Sequence, residues 1–159
     1  MDKYSSVERC HMFECELISK KDIILAGFSF SGPFPQSFPA EAVKVQQRLG
    51  SRKSEFPPSV NTRMLFSPYS VCDSIATYWA CYEVQEGDPI PEGMVTFKLP
   101  GHSYAKVNCT NKKIGDGYRE VFNWIQKNNY IQLKDAWSIE LFYIEDTEEE
   151  LVEILIPVE

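Results

Sequence analysis

The chain has 159 residues, 16 of them basic and 23 acidic, for a formal charge of −7. That length suits one domain, or two small halves sharing a core, and the negative charge opposes a phosphate backbone, so no direct nucleic-acid partner is expected. No window is long and apolar enough to cross a bilayer, and residues 1–22 lack the basic-then-apolar order of a signal peptide; a cytoplasmic protein without a membrane partner is expected.

In chain order, "CHMFEC" sets His11 between Cys10 and Cys15, yet no second ligand pair follows, and structural zinc wants four ligands. The five cysteines form no C-x-x-C pair and read as free thiols, so neither a metal nor another cofactor is expected. A strand is expected over Ile23–Phe30, closed by "SGPFPQ". "SFPAEAVKVQQRLG" then reads as a helix, with Ser37 as cap, Pro39 in the first turn, Glu41 near the positive end and Gly50 as stop. "NTRMLFSPY" and "SIATYWACYEV" follow as two strands.

Past the "QEGDPIPEG" loop the order returns. "MVTFKLPGHSYAKVNC" is strand material, and "DGYREVFNWIQKNN" is a helix whose Tyr118, Val121, Phe122 and Ile125 make one apolar face behind Asp116 as cap. "AWSIELFYIE" and "ELVEILIPV" are two more strands. The pattern is two tandem βαββ units, about residues 1–86 and 87–159. They most simply build one α+β domain of antiparallel sheets with two helices and pseudo-twofold symmetry. A cleft between the units is the natural ligand site.

"DAWSIELFY" carries one acid, Glu140. In a strand, Trp137, Ile139, Leu141 and Tyr143 share one face and Ala136, Ser138, Glu140 and Phe142 the other. From the pattern alone, that second face is either half solvated or the lining of a cavity. Aromatics form 13% of the chain, with ten Phe, eight Tyr and three Trp. They suit either a ring-rich pocket or a packed β core.

From Asp88 onward the motifs "PEGM", "PGHSYA", "IQKNNY", an "IE-L-Y" strand and "VEILIPV" resemble the GyrI-like, or effector-binding, domain family in order and spacing. The first half resembles it in architecture only. The resemblance implies the SOUL/GyrI fold and a pocket for bulky lipophilic, aromatic or cationic small molecules, as in the effector domains of bacterial multidrug-sensing transcription regulators. It also implies that Glu140 matches the family's ligand-facing glutamate. Rings offer a cation about 0.5–2 kcal/mol each, and a carboxylate about 4 Å away on the order of 4 kcal/mol at an effective dielectric near 20. These 159 residues show no helix-turn-helix, so a standalone domain is expected. The alternative implied by other family members is a hydrolase of cyclopropane-containing toxins, with Glu140 as its catalytic residue and a tyrosine or tryptophan as partner.

Phe142 shares the Glu140 face and joins the expected ligand-binding set. Trp137 enters it only if a bulge re-aims the strand start. Tyr118 either turns its hydroxyl to the cleft or packs in the core. Trp79 and Tyr82 lie on opposite faces of one strand, so one of them is core. Phe56, in a proline-stiffened loop, is either a pocket wall or an ordinary surface hydrophobe, and Phe28 and Tyr104, at equivalent places in the two units, are candidates to face the seam together. Glu153 reads as a solvated or sheet-bonded acid, and the acidic run Glu145–Glu150 as a solvated hairpin loop.

Overall fold

The stretch 94–109 breaks at Pro100 and Gly101 into two strands, because proline cannot donate to a ladder and a tight reversal follows it. A computed structural model describes residues 12–159; Cys10 and His11 of the "CHMFEC" stretch lie outside them. The strands are β1 (Cys15–Ser19), β2 (Ile23–Pro33), β3 (Met64–Cys72), β4 (Ile75–Val84), β5 (Val95–Leu99), β6 (Ser103–Thr110), β7 (Ser138–Tyr143) and β8 (Leu151–Val158). The helices are α1 (Ala40–Gly50) and α2 (Ile114–Lys127). The fold is α+β, as expected. The two sheets are, however, joined into one antiparallel sheet of eight strands in the order β1-β6-β8-β7-β3-β4-β2-β5.

That order is palindromic under exchange of the halves. Each half reads ββαββ, one strand more than the sequence pattern offered, and the extra strand crosses over: β1 pairs with β6 and β5 with β2. The reversals after the two exchanged strands interlock. Gly101 N–H donates to Asp22 Oδ1 at 2.7 Å and Lys20 N–H to the His102 carbonyl at 3.0 Å. A Cβ on Gly101 would sit 2.3 Å from the Lys20 carbonyl oxygen, so only glycine permits this approach. Lys106 ties β1 down by bridging Glu16 and Glu153, both at 2.9 Å, so Glu153 is an ion-paired acid of the sheet.

Both helices lie on one face of the sheet, each over its own half. Val45 and Leu49 of α1 pack with Phe28, Leu65 and Tyr82, whereas Val121 and Ile125 of α2 pack with Val107, Val152 and Ile154. Phe142 touches both clusters. The other sheet face holds Leu25, Phe66, Tyr104, Ile139, Leu141 and Leu155. The caps differ from expectation. α1 starts after Pro39, and Ser37 contributes its carbonyl to the Glu41 N–H. α2 starts at Ile114, so Asp116 falls in the first turn and pairs with Arg119 at 2.9 Å. Among the described residues no helix is long and apolar enough to cross a membrane.

Replacing Gly101 by alanine forces backbone against backbone where the two turns meet. Gly101→Ala is expected to lose about 3 kcal/mol of stability in urea unfolding, while an exposed control such as Lys21→Ala stays within about 0.5 kcal/mol.

Candidate functional site

The two halves meet where β3 pairs with β7, and this register builds the site. Ser67 stands opposite Glu140 and Tyr69 opposite Ser138, while on its other side Tyr69 stands opposite Tyr78 of β4. Alternation sends Tyr69, Tyr78, Glu140 and Phe142 to the helix face. There α1 and α2 stand apart and leave a cavity of about 830 Å³ with Glu140 and Phe142 in its lining. Its walls come from the strand-to-helix turns and first helical turns of both halves: Phe34, Phe38 and Val43 on one side, Asn111, Lys112 and Ile114 on the other.

Glu140 is held by tyrosines. Tyr78 donates its hydroxyl to Oε1 at 2.9 Å and Tyr118, from α2, donates to Oε2 at 2.5 Å. Gln46 of α1 in turn donates to the Tyr78 oxygen at 3.0 Å. Tyr69 completes the cage, stacked on Tyr78 at 6.4 Å between centroids and edge-on to Tyr118 at 6.3 Å. Gly117 brings α2 close enough for this contact; a Cβ there would lie 2.8 Å from Cys109 Sγ.

Burial raises the Glu140 pKa above the usual carboxylate range, and the Tyr118 and Tyr78 hydrogen bonds pull it part of the way back. The same burial, with the glutamate charge beside them, raises Tyr78 and Tyr118 well above the ordinary phenol value and Tyr69 with them. All three remain protonated donors near neutrality. No lysine, arginine or histidine among the described residues pairs with Glu140; Lys112, which lines the cavity, pairs with Glu148 at 2.9 Å instead. The arrangement is a carboxylate satisfied by neutral donors, uncompensated in charge, in the lining of an apolar cavity. It can take a cation, or hold and release a proton.

Of the residues singled out from the sequence, Glu140, Phe142 and Tyr118 meet in this cavity. The other six do not line it. Trp137 keeps the parity of Ile139 and Leu141, with no bulge to turn it, and packs on the opposite sheet face. Trp79 is on that face too, against Phe97 at 4.5 Å, and Tyr104 is buried there because Ala105 and Val107 take the α2 side. Tyr82 and Phe56 pack edge to face at 5.1 Å in the core under α1. Phe28 joins them, with the Arg48 guanidinium 3.9 Å above its ring, so Phe28 and Tyr104 lie on opposite faces. Missed were Tyr69, Tyr78, Gln46, Phe34, Phe38 and Phe122. Tyr78 had a signal: it alternates with Ala76 and Ala80, small residues that leave room beside it. Tyr69 had none, because its face is set by pairing with a strand of the other half.

A family model described as integron-associated effector binding protein matches residues 16–158. The chain belongs to this family. The GyrI-like, effector-binding assignment drawn from "PEGM" and "PGHSYA" stands with it. The structure of SAV2435 bound to tetraphenylphosphonium superposes with a TM-score of 0.71 at 15% identity, over 92% of this chain and 94% of that one. The integron cassette protein VCH_CASS2 of Vibrio cholerae gives 0.69 at 14%, over 93% and 98%. These likenesses establish the fold. The transcriptional regulator BrlR of Pseudomonas aeruginosa is 31% identical over 67 residues, 41% of this chain and 25% of the regulator, so the match spans a quarter of that relative's length.

Because the folded-state pKa of Glu140 is raised, the folded protein holds this proton more tightly than the unfolded chain, and stability contributed by the protonated form is lost as pH rises through the folded value. Glu140→Gln keeps the shape without the charge, its amide oxygen accepting from one tyrosine hydroxyl and its N–H donating to the oxygen of the other. It is expected to be more stable than wild type in urea at pH 7.5, with the gap closing toward pH 4.5. Tyr118→Phe removes a bond that lowers this pKa and is expected to move the titration of Glu140, followed by carboxyl NMR, to higher pH.

Proposed function

We propose that this protein binds bulky lipophilic or aromatic cations in the cleft between α1 and α2, with Glu140 as the counter-charge and Tyr69, Tyr78, Tyr118 and Phe142 as walls. One observation carries the reading: the Glu140 carboxylate lines a largely apolar cavity, held by two tyrosine hydroxyls and by no cation of the described chain. A cation entering there gains a Coulomb partner in a medium of low dielectric, and ring faces add to it. The desolvation of Glu140 is already part of the folded state, so binding does not incur that cost again. The tetraphenylphosphonium held by SAV2435 is the natural first probe. The likeness to BrlR supports a link to gene regulation, with ligand binding as the input. The charge of −7 favours an effect through a cytoplasmic protein partner or through sequestration over direct DNA contact.

The hydrolytic alternative uses the same carboxylate as a base on water attacking a cyclopropane-containing electrophile, with a tyrosine as proton donor. The raised pKa of Glu140 suits that role. Both of its oxygens, however, already accept hydroxyl protons, which favours binding over turnover. Mass spectrometry of such a compound after incubation separates the two: intact compound is expected, and ring-opened product would establish the enzyme.

Isothermal titration with tetraphenylphosphonium is expected to show one site at pH 7.5. Glu140→Gln should weaken it about 10- to 100-fold, equivalent to roughly 1.4–2.7 kcal/mol. Protonation removes the counter-charge, so wild-type affinity falls as pH drops through the raised Glu140 pKa, whereas the Gln variant stays flat. Equal affinity of wild type and variant at pH 7.5 would overturn the electrostatic part of the proposal.

A further inference from the structure

The cleft continues past Tyr69. A second hollow of about 270 Å³ shares Tyr69, Val71 and Phe122 with the main cavity, so the two are neighbours across the same side chains. Its own lining is more polar and includes Ser70, the buried Ser138 and Lys134. None of these residues has a part in the cation-binding reading apart from the shared wall.

The two lysines along this groove differ in their surroundings. Lys112, in the main cavity, has its ammonium neutralised by Glu148 at 2.9 Å. Lys134 has no carboxylate partner among the described residues. The joined groove therefore carries one uncompensated carboxylate, Glu140, and one uncompensated ammonium, Lys134, with the Tyr69 ring in the lining of both compartments. A plain lipophilic cation answers only the first of these charges.

We infer that the hollow beside Tyr69 is a carboxylate subsite, and that the ligand class completing the groove is amphoteric: a bulky aromatic cation carrying a carboxylate on an arm long enough to pass Tyr69. The cationic body lies over Glu140 and the tyrosine cage. The arm crosses the shared Tyr69–Val71–Phe122 wall. Its carboxylate meets Lys134. This deepens the proposed function and rests on its reading of Glu140. The gain is that of a partly solvated ion pair, so it tunes selectivity on top of a cation site that works without it.

The test uses matched phosphonium salts titrated at low ionic strength, where such a pair is least screened. Carboxybutyl-, carboxyheptyl- and carboxydecyl-triphenylphosphonium are each compared with an alkyl-triphenylphosphonium of equal arm length. At one arm length the acid is expected to bind about two- to five-fold more tightly than its alkyl partner. Lys134→Gln should bring the pair to parity and leave the alkyl compound unchanged within about two-fold; Lys112→Gln should keep the preference. Parity at every arm length in the wild type, or a preference lost in Lys112→Gln but kept in Lys134→Gln, overturns the subsite. If alkyl-phosphoniums bind in a Glu140-dependent manner while acids gain nothing, the subsite alone is wrong. If the alkyl compounds do not bind at all, the cation reading falls and the subsite with it.

Discussion

The pairing of β3 with β7 is the interaction on which the molecule depends. It turns two four-stranded halves into one sheet, and its register decides which side chains reach the helix face at the seam. A slip of one residue would send Glu140 and Phe142 to the far side and bring Ile139 and Leu141 under the helices. The helices leave the seam open because each is committed to its own half. α1 packs chiefly on β2 and β4 and α2 chiefly on β6 and β8, so the middle strands β3 and β7 are only partly roofed, at Leu65 under α1 and at Glu140 beneath Tyr118 of α2. The cavity is the space left between two independently packed layers.

Energetically the site is a balance. Sinking a carboxylate into apolar surroundings is unfavourable, and two phenol donors recover part of that loss without cancelling the charge. An arginine in the same place would have made a tighter and better neutralised structure, and it would have left nothing for a cation to seek. Tyrosine supplies what arginine cannot: a neutral hydrogen bond at one end and a ring at the other. The ring pairs among Tyr69, Tyr78, Tyr118 and Phe122 continue from the floor up the α2 wall, where Phe122 is still 42% exposed. The entrance is apolar and the charge lies deeper.

Much of this was legible in the sequence, and the limit has a physical form. Alternation within "AWSIELFY" correctly separated Glu140 and Phe142 from Trp137, because parity is local. The apolar stripe of α2 was legible for the same reason, and it put Tyr118 at the entrance of that helix. What alternation could not say is which parity faces the helices on strands that carry large residues on both sides. Trp79, Tyr82, Phe28 and Tyr104 were therefore drawn toward the seam by ring chemistry, although the sheet distributes them between two cores. The short edge strand β1, "CELIS", mixes polar and apolar residues on both of its faces, so it gave no period to detect.

The exchange of β1 and β5 also bears on how such a chain tolerates being divided. A cut anywhere in 85–94 would yield two fragments, each missing a strand that the other carries, with the Gly101–Asp22 and Lys20–His102 hydrogen bonds now running between molecules. Neither fragment completes its own sheet. Together they can rebuild it, much as two copies of a single ββαββ segment would by trading their first strands. The covalent link thus serves to keep two mutually dependent pieces at high effective concentration.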